Sequence, residues 1–411
     1  MVGTGVFTSL GFQVGSLPSP FVIVVLWAVG GLVALCGALS YAELAAALPR
    51  SGGEYHFLSR IFHPSLGVMA GFVSVFVGFA APIALGAIAF GKYASAAAPG
   101  IPAMAASVAI VVLLALVHSF ALRVSGGFQI VATSFKVTLI LVFLVAGFVL
   151  GEGADFRPKS GDGVLIASGA FGISLMFVSY AYSGWNAAVY IVGEVKKPGR
   201  TLPMALVLGT LAVTVLYVLL NAMFLASAPM SDYAGKVEVG EVAARHLFGA
   251  QGGHLMSAII AIGLVSSLSA LTWAGPRVAQ TAGEDFPALR WLGGRSEGGI
   301  PVRALLFQTG VVVLLLLTAS FESVLVSAQF ALIVCSSLTV IGLIVLRRRE
   351  PMLVRPFRCP LYPLVPMVFL ASSLFTLGYA VVCRPVEAVA GTLTLVCGLF
   401  LYFLMKMRKV S

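Results

Sequence analysis

The chain has little charge. Asp, Glu, Lys and Arg make up 10% of its 411 residues, against about 25% in a soluble globular protein. Hydrophobic residues make up 60% and mean hydropathy is +1.05. A soluble globular fold is excluded, and a polytopic, all-α membrane protein is expected. Acid is scarcer than base: 15 Asp and Glu stand against 25 Lys and Arg, for a net charge of +10. The basic residues alternate with apolar runs and never gather into one basic domain, so they report membrane topology and not nucleic-acid binding. Cysteine is sparse as well. Cys36, Cys335, Cys359, Cys383 and Cys397 have neither metal-ligand spacing nor a secreted-type framework, and read as small apolar packers. No Ser-His-Asp arrangement, Gly-rich nucleotide loop or cluster of metal ligands is present, so no enzyme, cofactor or metal site is expected. Met1 runs straight into VGTGVF without a charged stretch or small-residue cleavage site. No cleavable signal is therefore expected, and insertion rests on the spans themselves.

What the chain does have is apolar runs of bilayer length, roughly 20 residues each. Eleven are predicted, near 20–48, 66–95, 103–121, 127–150, 166–193, 203–228, 253–275, 302–318, 324–346, 361–383 and 386–405, after an apolar start at 1–15 that is half a span long. With that half included there are twelve spans, and both termini share a side. One set of connections holds Arg50, Arg60, Arg123, Lys196, Lys197, Arg200, Arg277, Arg290, Arg295, Arg303, Arg347, Arg348, Arg349, Arg355 and Arg358, and the tail adds Lys406, Arg408 and Lys409. The other set holds Lys92, Arg157, Lys159, Lys236, Arg245 and Arg384. Eighteen against six is a positive-inside asymmetry, which predicts that the richer side, with both termini, is cytoplasmic. On the poorer side, 151–164 and 229–252 are polar and expected at the surface. On the richer side, 49–65 and 276–301 are expected to hold short interfacial helices. No soluble domain is large enough to count separately, so residues 1–411 are read as one transmembrane domain.

Three places carry chemistry. Gly3, Thr4 and Gly5 put two glycines around a small hydroxyl residue in an apolar stretch. That lets a helix unwind and point free N–H groups, at the positive end of its dipole, toward a carboxylate. Taken alone, the triplet reads as ordinary packing of small residues. The second place is Tyr180, Ala181, Tyr182, Ser183, Gly184, Trp185 and Asn186, near the middle of a span, where Tyr and Trp do not belong to an interfacial belt. A break there frees carbonyls to accept from an ammonium, whereas a continuous helix would make Ser183 and Gly184 a small-residue contact. Two Gly-interrupted spans, one opening the chain and one five spans later, form the pattern of transporters built from inverted five-helix repeats. Third, Lys136 lies about ten residues into its span, roughly 15 Å deep at about 1.5 Å per residue. A charge at that depth faces the bundle interior and pairs with carbonyls or with hydroxyls such as Ser266, Ser267 and Ser269, where it can replace a bound sodium ion, or else it loses its proton. The alternative is a lysine snorkelling to the basic edge. His118, Asn221, Gln129, Gln308 and Gln329 read as local hydrogen-bonders. Glu43, Glu54 and Glu194 are expected to pair with Arg50, Lys196 or Arg200, with a part in a gate as the alternative reading.

The GTGVF opening, YAELAAALPRSGGEYHFL at 41–58, YAYSGWNAAVYIVGEVKKPGRTLP at 180–203 and RRREPMLVRPFRCPLYPLVP at 347–366 resemble the amino acid-polyamine-organocation transporter superfamily, most closely its L-type amino acid transporter-like branch. The resemblance covers nearly the whole chain in order. It implies the leucine-transporter fold: two inverted five-helix repeats (1–150 and 166–346), two further helices (361–405), and alternating access around the broken first and sixth helices. It also implies that Gly3, Thr4 and Gly5 hold the substrate carboxylate and that Tyr180, Ala181 and Ser183 stand where sixth-helix carbonyls take the amine. Tyr180 occupies the aromatic-gate position, and Lys136 matches the fifth-helix lysine of sodium-independent members. Two departures are plain. This chain begins inside the GTG-like motif, so its first helix is truncated, through a misassigned start or a missing part of the inner gate. Ser183 fills a place that is often Gly, which narrows the pocket against large aromatic substrates.

The expected function is sodium-independent amino acid transport, by exchange or with protons, in the plasma or inner membrane. The expected partners are the amino acid, the lipid bilayer and, in the proton-coupled form, protons; the sequence does not decide whether a partner subunit is needed. Two alternatives stand beside it: an amine or polyamine carrier, which would need a carboxylate that no mid-span position supplies, and a truncated, non-transporting membrane protein. No ring of pore-lining charges suggests a channel.

Overall fold

The computed structural model describes residues 3–50, 52–120, 126–195, 197–285, 287–294 and 301–407. Arg123, Lys196, Arg295, Arg408 and Lys409 lie outside the described residues, as do the side chains of Gln129, Glu194 and Lys406. Among the described residues there is no strand. The chain opens with α1 (Gly5–Thr8) and α2 (Leu10–Gln13), joined through Ser9 in helical geometry. Next come α3 (Pro20–Ala47), α4 (Gly53–Ile61) and α5 (Pro64–Val73), the last continued by a π-helical stretch, Ser74–Phe79, into α6 (Ala80–Ala97). They are followed by α7 (Ala103–Ser119), α8 (Gly126–Leu150), α9 (Asp162–Ile166) and α10 (Gly169–Ala181), then a 3-10 stretch, Ala187–Glu194. The second half holds α11 (Pro198–Ser227), α12 (Met230–Tyr233), α13 (Val239–Asp285), a 3-10 turn at Pro287–Leu292, α14 (Val302–Thr318), α15 (Phe321–Arg349), α16 (Leu364–Cys383) and α17 (Pro385–Met407).

Seven of these stretches are long and apolar enough to cross a membrane, and Ala103–Ser119, Ser134–Leu150, Gly169–Ala181 and Val302–Thr318 are shorter apolar helices. They fall on the eleven runs predicted from hydropathy. The chain is a multi-pass membrane protein. Its outer helices show why: Val145, Val149, Leu314, Leu317, Phe400 and Phe403 are large, apolar and exposed, a surface that suits lipid and not water.

Local chemistry sets the helix ends. Ser19 accepts from the Val22 N–H ahead of Pro20 at the start of α3. Ser168 accepts from Phe171 at the start of α10, and Ser320 from Ser323 at the start of α15. Each satisfies an N–H that the first helical turn leaves open. Arg347, Arg348 and Arg349 close α15 at its negative dipole end. Several hydroxyls inside the spans bond back to their own helices, as Ser40 does to the Cys36 carbonyl and Thr210 to that of Leu206.

α3 packs along α11, and α6 packs along both α7 and α13. Trp27, Tyr182 and Tyr217 are fully buried between the first pair. The 229–252 connection lies only in part on the surface that its polarity suggested: 234–236 and 248–251 are exposed, and 237–244 between them turns inward. Tyr233, Val239, Ala243 and Ala244 within it are fully buried. The Tyr233 hydroxyl donates to the Phe224 carbonyl at 2.6 Å, and the Gly235 N–H to the Gly11 carbonyl at 2.8 Å. Apolar residues on one face of 237–244 turn this segment inward and fold it over the opening helices. The short elements expected at 49–65 and 276–301 are α4 and the turn at Pro287–Leu292.

At the basic-loop end, buried Glu43 does not pair with Arg50. Its carboxylate accepts from Arg347 Nε at 2.8 Å, Arg347 Nη2 at 2.5 Å and the Cys359 N–H at 2.7 Å. Arg355 Nε stands 3.3 Å away, in ion-pair range though not aligned for a hydrogen bond. The Arg347 guanidinium also lies 3.8 Å over the Tyr362 ring. One carboxylate thus ties the end of α3 to the end of α15 and to the connection beyond it. Glu43→Ala leaves two guanidinium groups without their counter-charge and should cost about 3–5 kcal/mol. The expected result is a clear drop in the melting temperature of the purified protein; an unchanged melting curve would show that the cluster does not hold these helix ends.

Candidate functional site

α10 begins on the Ser168 cap and stops at Ala181. Residues 182–186 form turns, with Gly184 at φ +92°, a backbone region that glycine enters without strain. Beyond them the chain resumes in the tighter 3-10 form. Among the described residues, no N–H or side-chain donor is paired with the carbonyls of Ala181, Tyr182 or Ser183. Bare carbonyls at the depth of a membrane span persist only beside protein partners or a water-filled cavity.

The opening of the chain lies against that break. α1 starts at Gly5, and a Cβ built on Gly5 would stand 2.3 Å from Ala181 Cα. Only a glycine allows two main chains to approach so closely. Thr4 Oγ1 and the Tyr180 hydroxyl are hydrogen-bonded at 2.6 Å, and Ser9 Oγ donates to the Phe177 carbonyl at 3.3 Å. The N–H groups of Thr4 and Gly5 have no acceptor among the described residues.

Both interruptions line one cavity of about 1060 Å³, bounded by Gly3, Thr4, Gly5, Tyr180, Ala181, Tyr182, Ser183 and Gly184. Its wall reaches Gly52, Tyr55 and Arg277 at the basic-loop end. Aromatic rings shut the opposite end. Phe12 stacks on Phe177 at 5.2 Å and on Phe321 at 5.4 Å, and Tyr180 meets Phe321 edge-on at 6.5 Å. The Tyr93 hydroxyl adds a latch, donating to the Phe7 carbonyl at 2.8 Å and accepting from the Gly240 N–H at 3.0 Å. The described conformation is closed on that side.

Lys136, on α8, lines the same cavity, and its Nζ donates to Ser267 Oγ at 2.8 Å. Ser266 bonds to the Gly263 carbonyl of its own helix, and Ser269 to His118 Nε2. Of the three serines considered as neighbours of Lys136, the structure brings only Ser267 to its ammonium. The Tyr182 hydroxyl is committed as well, to the Trp27 carbonyl at 3.1 Å.

Sequence reasoning underrated Glu54. It is buried and lines the cavity, and Oε1 accepts from the Tyr41 hydroxyl at 2.6 Å, Ser336 Oγ at 3.1 Å and Asn186 Nδ2 at 3.5 Å. No cation pairs with it among the described residues, contrary to the pairing expected from its position. Trp185 packs edge-on against Tyr41 at 4.7 Å and Phe369 at 6.0 Å. The missed partners Tyr41 and Ser336 are far apart in sequence, and a serine within an apolar run is too common to mark a site.

Comparison with known proteins was consistent across the chain. The family model described as amino acid permease matches residues 1–404. The b(0,+)-type amino acid transporter 1 of Mus musculus is 27% identical, covering 98% of this chain and 84% of its own length. The serine/threonine exchanger SteT of Bacillus subtilis is 26% identical over 100% of this chain and 94% of its own, and the Asc-type amino acid transporter 1 of Mus musculus is 26% identical over 98% and 78%.

The crossing of the two main chains can be tested without knowing a ligand. Gly5→Ala forces a methyl group into Ala181 and should cost about 1–3 kcal/mol, read as a lower melting temperature. Gly15, whose added Cβ would meet nothing within 4 Å, is the control: Gly15→Ala should stay within about 0.5 kcal/mol of the parent. Equal tolerance at both positions would contradict the close approach.

Proposed function

Because the chain belongs to the amino acid permease family, we propose that it transports amino acids across a membrane by alternating access, independently of sodium, by exchange or together with protons. The observation that carries this reading is the meeting of two interrupted helices at Gly5 and Ala181, with unpaired main chain from both facing one cavity. A zwitterion fits that arrangement. Its carboxylate takes the N–H groups of Thr4 and Gly5 beside Gly3, and its ammonium takes the carbonyls released around Ala181, Tyr182 and Ser183, next to Gly184. Tyr180 stands between this site and the closed aromatic end, as a gate would. The Ser183 side chain narrows the pocket against large aromatic substrates.

Sodium independence is inferred from Lys136. Its ammonium, bonded to Ser267, supplies a fixed positive charge beside the broken segments, with Ser266 one residue away, where a coupled cation would otherwise be needed. The similarity to a serine/threonine exchanger favours exchange. The architecture proposed is two five-helix repeats, 1–150 and 166–346, with 361–405 as added helices. The basic loops and both termini are placed on the cytoplasmic side of the plasma or inner membrane by the positive-inside bias.

In liposomes, the protein should take up labelled alanine or serine in exchange for internal amino acid with no sodium present. An absolute requirement for sodium would defeat the role given to Lys136. Lys136→Ala should lower the exchange rate by about tenfold or more, equivalent to about 1.4 kcal/mol, while the protein still purifies as a folded species.

A further inference from the structure

Two glutamates are buried at the basic-loop end of the bundle, and they are treated differently. Glu43 faces Arg347 and Arg355. Glu54, equally buried, has three donors on Oε1, none on Oε2, and no cation within ion-pair reach among the described residues. An ionised carboxylate shares its charge between both oxygens, and a bare, buried Oε2 would leave half of that charge unsolvated. The acid form fits better: Oε1 is then a carbonyl oxygen that accepts all three bonds, and Oε2 is a neutral hydroxyl.

We propose that Glu54 is a proton-binding site of the transport cycle, protonated in the described conformation and ionised when the helices around it part. The proposal rests on the transport reading above and deepens its proton-coupled form. The donors come from three elements: Tyr41 from α3, Ser336 from α15 and Asn186 from the broken segment. Oε2 is closed off from solvent, and Oε1 joins α4 to α3, α15 and the broken segment, so loss of the proton is tied to a movement that opens this junction to water. Burial pushes the Glu54 carboxyl up, and the bonds from Tyr41, Ser336 and Asn186 bring it part of the way back.

The titratable groups around it do not supply a counter-charge. Tyr41 faces it from α3, Tyr190 from the 3-10 stretch and Cys335 from α15. On α4 itself, His56 is held down by burial and by Arg50 and Arg60, and neither arginine pairs with Glu54. Lys136 and Arg277 line the same cavity on α8 and α13. Because burial favours the acid, low pH stabilises the shielded arrangement, and rising pH favours any state in which Glu54 is hydrated.

Infrared difference spectra of the purified protein at neutral pH, wild type minus Glu54→Gln, should contain a protonated-carboxyl band; its absence would overturn the proposal. Trp185 packs on Tyr41, so its fluorescence should titrate with pH in the wild type and stay flat in Glu54→Gln. Ser336→Ala, which removes a donor that favours the ionised form, should move that midpoint to higher pH. In liposomes, wild-type uptake of alanine should change at least about fivefold between about pH 5.5 and 8, and that of Glu54→Gln less than about twofold. A variant with the wild-type pH profile would also overturn the proposal. If the wild type carries no amino acid at all, the transport reading falls, and the infrared and fluorescence results still decide whether Glu54 holds a proton linked to movement.

Discussion

Main-chain contact between Gly5 and Ala181 fixes the geometry of the cavity. Side chains cannot mediate a crossing this tight, so the two segments meet backbone to backbone, and their hydrogen-bonding groups become the lining. A helix interrupted in hydrocarbon is costly unless something satisfies the freed groups. Here the Thr4–Tyr180 and Ser9–Phe177 bonds hold the pair together, and the remaining N–H and carbonyl groups are left for whatever enters. Discontinuity and proximity depend on each other: either alone would give a misfolded helix or an ordinary packing contact.

The same chain handles three charged or chargeable side chains in its interior by three routes. Glu43 is matched by guanidinium groups and becomes a clamp. Lys136 is placed beside a hydroxyl at the cavity wall, where it adds positive charge to a space otherwise lined by dipoles. Glu54 is given donors but no cation. Burial penalises each of them, and the different compensation separates a structural role from roles in which charge or protonation changes matter.

Much of this was legible in the sequence, and the reason is physical. Hydropathy runs survive in the fold because each span must satisfy its own backbone, so eleven apolar runs became eleven apolar helical stretches. Gly3, Gly5 and Gly184 marked the interruptions because glycine is the residue that tolerates them. What stayed hidden depended on neighbours distant in sequence. Glu43 and Arg347 are joined across most of the chain, and local reading offered Arg50 in their place. Ser267 and Ser266 are adjacent, and only helix rotation decides which one meets Lys136. The 229–252 connection looked polar overall, yet its apolar face was enough to bury Tyr233 and Val239.

The π-helical stretch at Ser74–Phe79 interrupts an otherwise α-helical span and contributes Ser74, Gly78 and Phe79 to the cavity wall. A π turn holds one more residue than an α turn, and such stretches recur at working sites in proteins. Rewinding it to α geometry would advance every later residue by one position, a rotation of about 100° at 3.6 residues per turn. In that regular form Phe79 would leave the wall, and the faces α6 turns to α7 and α13, packed closely at Gly91 and Gly86, would no longer match their partners. The extra residue in this turn thus sets the register between the cavity wall and the packed faces of the rest of the span.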